Sequence, residues 1–193
     1  MAPPSAFAMK LAGVAEDQHT KFHLLNEADP PLCKQIKKYS NDLHLGSTDC
    51  VKEPWSAIFV SWCVMTAGAT AAEFKFSKAH SVFVHEAIKN AENGTGVFRG
   101  FDIRAQAPNI GDIIQNNRGG NKFKFAFAKA NTNYLSHSAI VVKVDQDADG
   151  RFALTIGGNE GNSIRQTIVR LTSQGFVKQR TNNPFICIVK NLK

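Results

Sequence analysis

Residues 52–70 read KEPWSAIFVSWCVMTAGAT, and this stretch decides the fold. Pro54 stands where a helix should start, the next four turns are nearly all apolar, and Gly68 offers a stop. A helix that is apolar all round must be buried on every side. The expectation is therefore a central helix over residues 54–68, with one small hydroxyl, Ser56, in its first turn.

Outward from it, the first half of the chain reads helical. Apolar residues recur at helical spacing over residues 5–25. A second helix is expected from DPPLCKQIKKY, with Asp29 as cap and Pro30 in the first turn. A polar loop over 44–52 leads to the central helix, and FSKAHSVFVHEAIKNAENG supplies another, capped by Ser77 and stopped by Gly94. The second half changes period. GDIIQ, KFKFAFAK, HSAIVVKVD, RFALTIGG, IRQTIVRL and FICIVKNL are short β-rich runs separated by turn residues. KFKFAFAK alternates strictly and is read as a half-buried strand beside a cleft, with Phe123, Phe125 and Phe127 on one face. Helices first and an antiparallel meander second make an α+β domain. Residues 1–193 are read as one domain, with a helical part over 1–45 and a core of catalytic type over 50–193.

Composition narrows the partners. The chain has 193 residues and a formal net charge of +7, with a pI near 9.3. That balance favours polyanions. The lysines and arginines are scattered, which argues against a dedicated nucleic-acid surface and for a generally cationic one. Cys33, Cys50, Cys63 and Cys187 match no zinc or CxxC spacing. Cys63 and Cys187 lie in apolar runs and read as buried. A Cys33–Cys50 disulfide is compatible with the sequence, which does not decide it. The N-terminal residues lack the form of a Sec signal peptide, and no run of 18 apolar residues is present to span a membrane.

Three segments carry candidate chemistry: PWSAIFV at the helix start, SHSAIVVKV with His137 opening a strand, and TIGGNEGNS with Asn159 ending the next. A helix N-terminus packed against two strand ends can bring together a nucleophile, a base and an orienting group. The order of these pieces resembles the papain-like cell-wall hydrolases of the NlpC and CHAP kinds. SAIFV from Ser56 lies over that superfamily's Cys-x-x-Phe-Val, HSAIVV over its His strand, and Gly111-Asp112 over the Gly-Asp turn that precedes it. A closer resemblance is to an uncharacterised branch with the signature PWSAxFxSW, S-x-A-H, GD, H-x-x-IVV and GGN, all present in order over roughly residues 50–165.

The resemblance implies a papain-like fold and hydrolysis of an amide bond in peptidoglycan stem peptides or cross-links. Ser56 would be the nucleophile, His137 the base and Asn159 the orienting residue. Glu160 is the rival to Asn159, while His80, Trp55 and Asp112 line the site or serve structure. By analogy with relatives, the chain would be an antibacterial effector, made in the cytoplasm and delivered by a specialised route such as type VI secretion. An immunity protein and a secretion-apparatus partner would go with that route. The departure is Ser56 in place of cysteine: a thiol is partly ionised near neutral pH, whereas a hydroxyl needs a base during attack. Cys63 is too deep to replace it, and Cys50 remains an alternative in the loop before the helix. The other reading is an inactive module that keeps the cleft and binds wall fragments or a partner protein.

No cofactor is required by this chemistry. Asp145, Asp147 and Asp149 before Gly150 resemble the front of a calcium loop, but Ile156 occupies the position where the closing Glu belongs. A hairpin turn is the better reading, with weak calcium binding as the alternative.

Overall fold

A computed structural model describes residues 3–193. Four helices precede the sheet: α1 (Ala6–Phe22), α2 (Pro30–Asp42), α3 (Ser56–Ala67) and α4 (His80–Asn93). They are followed by β1 (Phe98–Asp102), β2 (Ile113–Asn117), a short α5 (Phe125–Ala130), β3 (Ser136–Asp147), β4 (Gly150–Glu160), β5 (Ser163–Arg170) and β6 (Phe185–Asn191). The six strands form one antiparallel sheet in the order β1-β6-β2-β3-β4-β5. The architecture is α+β.

Period-two alternation along the strands sorts the core into two sides. Ile113, Ile140, Ile156 and Val189 join α1 to α4 in one apolar cluster. Ile114, Val141, Ala153 and Ile188 join a second cluster, under Leu171 and Val177 of the segment after β5. The central helix behaves as its composition requires: ten of its residues, from Ser56 to Val64 and Ala67, are buried. It ends at Gly68, whose φ of 110° is left-handed backbone suited to glycine. Each of the fully buried Ile58, Phe59, Val60 and Val64 on this helix contributes about 1.5–3 kcal/mol by leaving water, so packing holds its first turn against the sheet.

The close approach of α3 to β4 depends on Gly158. A Cβ there would lie 2.6 Å from Trp55 Cζ3 and 2.7 Å from Phe59 Cβ. The GG of TIGGNE thus lets the strand lie directly on the helix start.

Several local expectations differ from the structure. KFKFAFAK is not a strand: residues 125–130 form α5. Ala and Lys favour helix, and Phe123 and Phe127, four residues apart, stack with centroids 4.1 Å apart. Asn117 ties down the preceding loop, accepting from the Phe123 N–H at 2.8 Å and donating to the Phe123 carbonyl at 2.9 Å. Ser77 does not cap α4; its hydroxyl accepts from Ala79 N–H one step earlier, and the helix starts at His80. Asp29 occupies the cap position of α2, but its carboxylate accepts from Asn26 N–H instead. β1 is a strand that the turn-bounded apolar runs did not mark.

Cys33 and Cys50 are joined in a disulfide, while Cys63 and Cys187 are free and buried. The bond clips the start of α2 to the loop that leads into α3. Among the described residues, no helix is long and apolar enough to cross a membrane.

Candidate active site

Ser56 opens α3, and its Oγ lies 2.7 Å from Nε2 of His80, the first residue of α4. Two helix starts therefore meet at one hydrogen bond. Both residues are buried, at 2% and 5% exposure. Burial, then the neighbouring His137 and Arg118, pushes the His80 pKa well below its ordinary value, so the ring is neutral and can accept a proton. The ring's Nδ1 has no partner among the described residues.

His80 meets the edge of His137, with ring centroids 5.4 Å apart at 68°. His137 opens β3 and its Nε2 lies 2.8 Å from Glu160 Oε1. A carboxylate accepts, so Nε2 carries the proton. Glu160 Oε2 accepts from the Thr167 hydroxyl at 2.7 Å, which fixes the carboxylate against β5. A Cβ at position 157 would lie 2.9 Å from His137 Nε2, so Gly157 leaves room for this pair. Ser56–His80 and His137–Glu160 are thus two hydrogen-bonded pairs whose histidine rings meet edge to face, a polar chain across the sheet end with a ring contact at its middle.

Asn159 lies outside that chain. With φ at 57°, its backbone is left-handed, a conformation that Asn tolerates. Its Nδ2 donates to Glu27 Oε2 at 2.6 Å, and its Oδ1 accepts from Arg118 at 3.3 Å. Glu27 Oε2 also accepts from the Trp55 indole N–H at 2.8 Å. This buried carboxylate, in the loop between α1 and α2, pins the residue before Ser56 to the end of β4.

On the far side of His137 a cavity of about 270 Å³ opens, lined in part by His137, Glu160, Arg118 and Arg180. Neither Ser56 nor His80 belongs to its wall.

Residues 26–186 match a bacterial family described as uncharacterized protein conserved in bacteria (DUF2272). The chain belongs to that family. Its matched span runs from the loop carrying Glu27 to β6 and takes in every residue of the polar chain. No curated protein and no solved structure is detectably similar to it.

The structure thus rearranges the expected site of this DUF2272 protein. Ser56 and a histidine do meet, but the histidine is His80. His137 is held by Glu160, and Asn159, expected to orient it, is turned to Glu27. The reason is local: the bulge between Gly158 and Glu160 breaks the two-residue alternation, so the side chain after Asn159 faces His137. Trp55 is fully buried and acts through its indole N–H rather than as a cleft wall. Asp112 sits in a separate bracket: its carboxylate accepts from Asn109 and Asn191 backbone N–H groups and pairs with Lys190. Cys50, as half of a disulfide, holds no free thiol.

The three aspartates lie in the β3–β4 hairpin. Asp147 and Asp149 both pair with Arg170, and Asp145 pairs with Lys143. Among the described residues, no group of three or more His, Cys, Asp or Glu is placed to hold a metal.

Glu27, Thr167 and Arg118 were not singled out from the sequence. Glu27 stands in a polar loop, NEADPP, where nothing separates a buried carboxylate from a solvated one. His80 carried a signal, its place in the S-x-A-H element, but only folding places it on Ser56.

Proposed function

We propose that this protein is a papain-like hydrolase of the NlpC and CHAP kind that cleaves an amide bond of peptidoglycan with a serine nucleophile. The observation that carries the reading is the 2.7 Å contact between Ser56 Oγ and Nε2 of a neutral, buried His80 at the N-terminus of a buried helix. As substrate approaches, Ser56 Oγ forms a bond to the carbonyl carbon while its proton passes to His80 Nε2. The free first-turn N–H groups of α3 are suited to stabilise the oxyanion. Collapse breaks the C–N bond, His80 returns the proton to the leaving amine, and water hydrolyses the acyl-serine. His137, held by Glu160, joins this pair to the cavity.

The cationic surface suits an anionic wall polymer. The disulfide suits action in an oxidising compartment, which fits an antibacterial effector delivered outside the cytoplasm, with an immunity protein as its natural partner.

A second reading, a binding module, is favoured by two observations. Ser56 and His80 are both covered. The tautomer that accepts the Ser56 proton also leaves an N–H on Nδ1 without a partner, a cost of about 1–3 kcal/mol. Incubation with peptidoglycan separates the readings. Mass spectrometry of the soluble products is expected to find a defined stem-peptide fragment with wild type and none with Ser56→Ala or His80→Ala. Retention on peptidoglycan without release, unchanged by Ser56→Ala, would leave the binding module.

A further inference from the structure

The cavity beside His137 has a charge pattern that the polar chain does not use. Two arginines, Arg118 and Arg180, line it, and its one carboxylate is Glu160. Glu160 is already engaged by His137 and Thr167. Neither arginine lies within 4.0 Å of any carboxylate among the described residues, whereas Arg104 and Arg170 are both paired with aspartates. Arg118 has a single long bond, 3.3 Å to Asn159 Oδ1.

Arg180 is better prepared. Its guanidinium lies over the Phe185 ring at 4.4 Å from the centroid. Its Nε donates to the Asn183 carbonyl at 3.1 Å. Stacking and that bond fix the plane, and the two terminal amino groups have no protein acceptor among the described residues. A guanidinium held flat with its fork free is the geometry that binds a planar or tetrahedral oxyanion through two parallel bonds. Arg180 is itself exposed, so an incoming ligand can reach its fork from solvent.

We propose that this cavity is an anion subsite in which Arg180, assisted by Arg118, holds a carboxylate or phosphate group of the ligand. The proposal rests on the hydrolase reading only for which bond is presented to Ser56; the subsite itself needs no turnover. An acidic side chain of a stem peptide and a phosphate of a wall polymer share this chemistry, and both are small enough for about 270 Å³.

Binding is tested on the full chain carrying Ser56→Ala, so that hydrolysis plays no part. The probes are N-acetyl-Ala-Glu-Ala amide, its Gln counterpart and inorganic phosphate, titrated by NMR at low salt. Saturable binding of the Glu peptide that is about tenfold tighter than the Gln peptide is expected, with a similar loss in Arg180→Gln. Arg180→Lys should recover part of the affinity, since it keeps the charge and loses the fork. Thermal melting of each variant separates lost binding from lost folding. Phosphate binding that depends on Arg180, without discrimination between the peptides, would keep the subsite and assign it to phosphate. Equal binding of both peptides together with phosphate binding indifferent to Arg180, or no binding of any probe, would overturn the proposal. Failure of the hydrolase reading would show separately, as wild type that binds these probes yet releases nothing from peptidoglycan.

Discussion

At Ser56 and His80, the decisive quantity is which atoms carry protons. His80 is neutral in the folded protein because burial disfavours its charged form. In the unfolded chain the ring takes up a proton below its ordinary value of 6.5. As pH falls through that value the unfolded state binds more protons than the native state, so stability declines. Above it the penalty is absent. Denaturation midpoints are expected to drop from pH 7 to pH 5 in wild type, and the drop should shrink in His80→Gln. An equal drop in both proteins would mean that His80 is charged in the native state. Glu27 makes a second prediction at this scale. Its carboxylate satisfies the Trp55 and Asn159 N–H groups, so Glu27→Ala should cost about 2–4 kcal/mol by orphaning two donors. Urea unfolding measures it, and a loss below about 0.5 kcal/mol, the level of an ordinary surface substitution, would count against the bracket.

Among the elements, the meeting of α3 with β4 is the narrowest fit. Gly158→Ala would drive a Cβ into Trp55 and Phe59, and overpacking of this kind costs about 1–3 kcal/mol. The variant should unfold at lower urea, with the Trp fluorescence of the native state altered; unchanged stability would show that helix and strand have room to part. The same elements show what was legible beforehand. The buried helix was plain because an all-round apolar run with a Pro start and a Gly stop has few alternatives. Strands β2 to β6 were legible from β-rich runs between turns. The segment at Phe123–Phe127 misled because two-residue alternation of Phe with Lys and Ala also sets aromatic residues four apart, and helix propensity and stacking won. The site was half legible: Ser56, His80, His137 and Glu160 could all be named, but their pairing could not. One bulge in β4 exchanges Asn159 for Glu160, and the packing of two helix starts puts His80 on Ser56. Both are tertiary facts without a local signature.

Taken whole, the molecule hangs its helices on one face of the sheet and leaves the basic cavity where β2, β3, β4 and the segment after β5 meet. The Cys33–Cys50 bond closes a loop with a sequence separation of 17 residues, for which loop entropy implies about 3 kcal/mol. Reduction with dithiothreitol should lower the unfolding free energy by roughly 2–4 kcal/mol, with no loss on adding the reductant to a Cys33→Ser, Cys50→Ser double variant. An oxidised and a reduced protein of equal stability would mean that the bond does not form in solution.

The central claim is that His80 activates Ser56. Labelling the folded protein with a fluorophosphonate, followed by peptide mapping, tests it without knowledge of the substrate. The account predicts one adduct on Ser56, absent in Ser56→Ala and strongly slowed in His80→Ala, with Asn159→Ala labelled like wild type wherever it remains folded. An unlabelled Ser56 in folded wild type, or labelling that survives loss of His80 and fails on loss of His137, would contradict it.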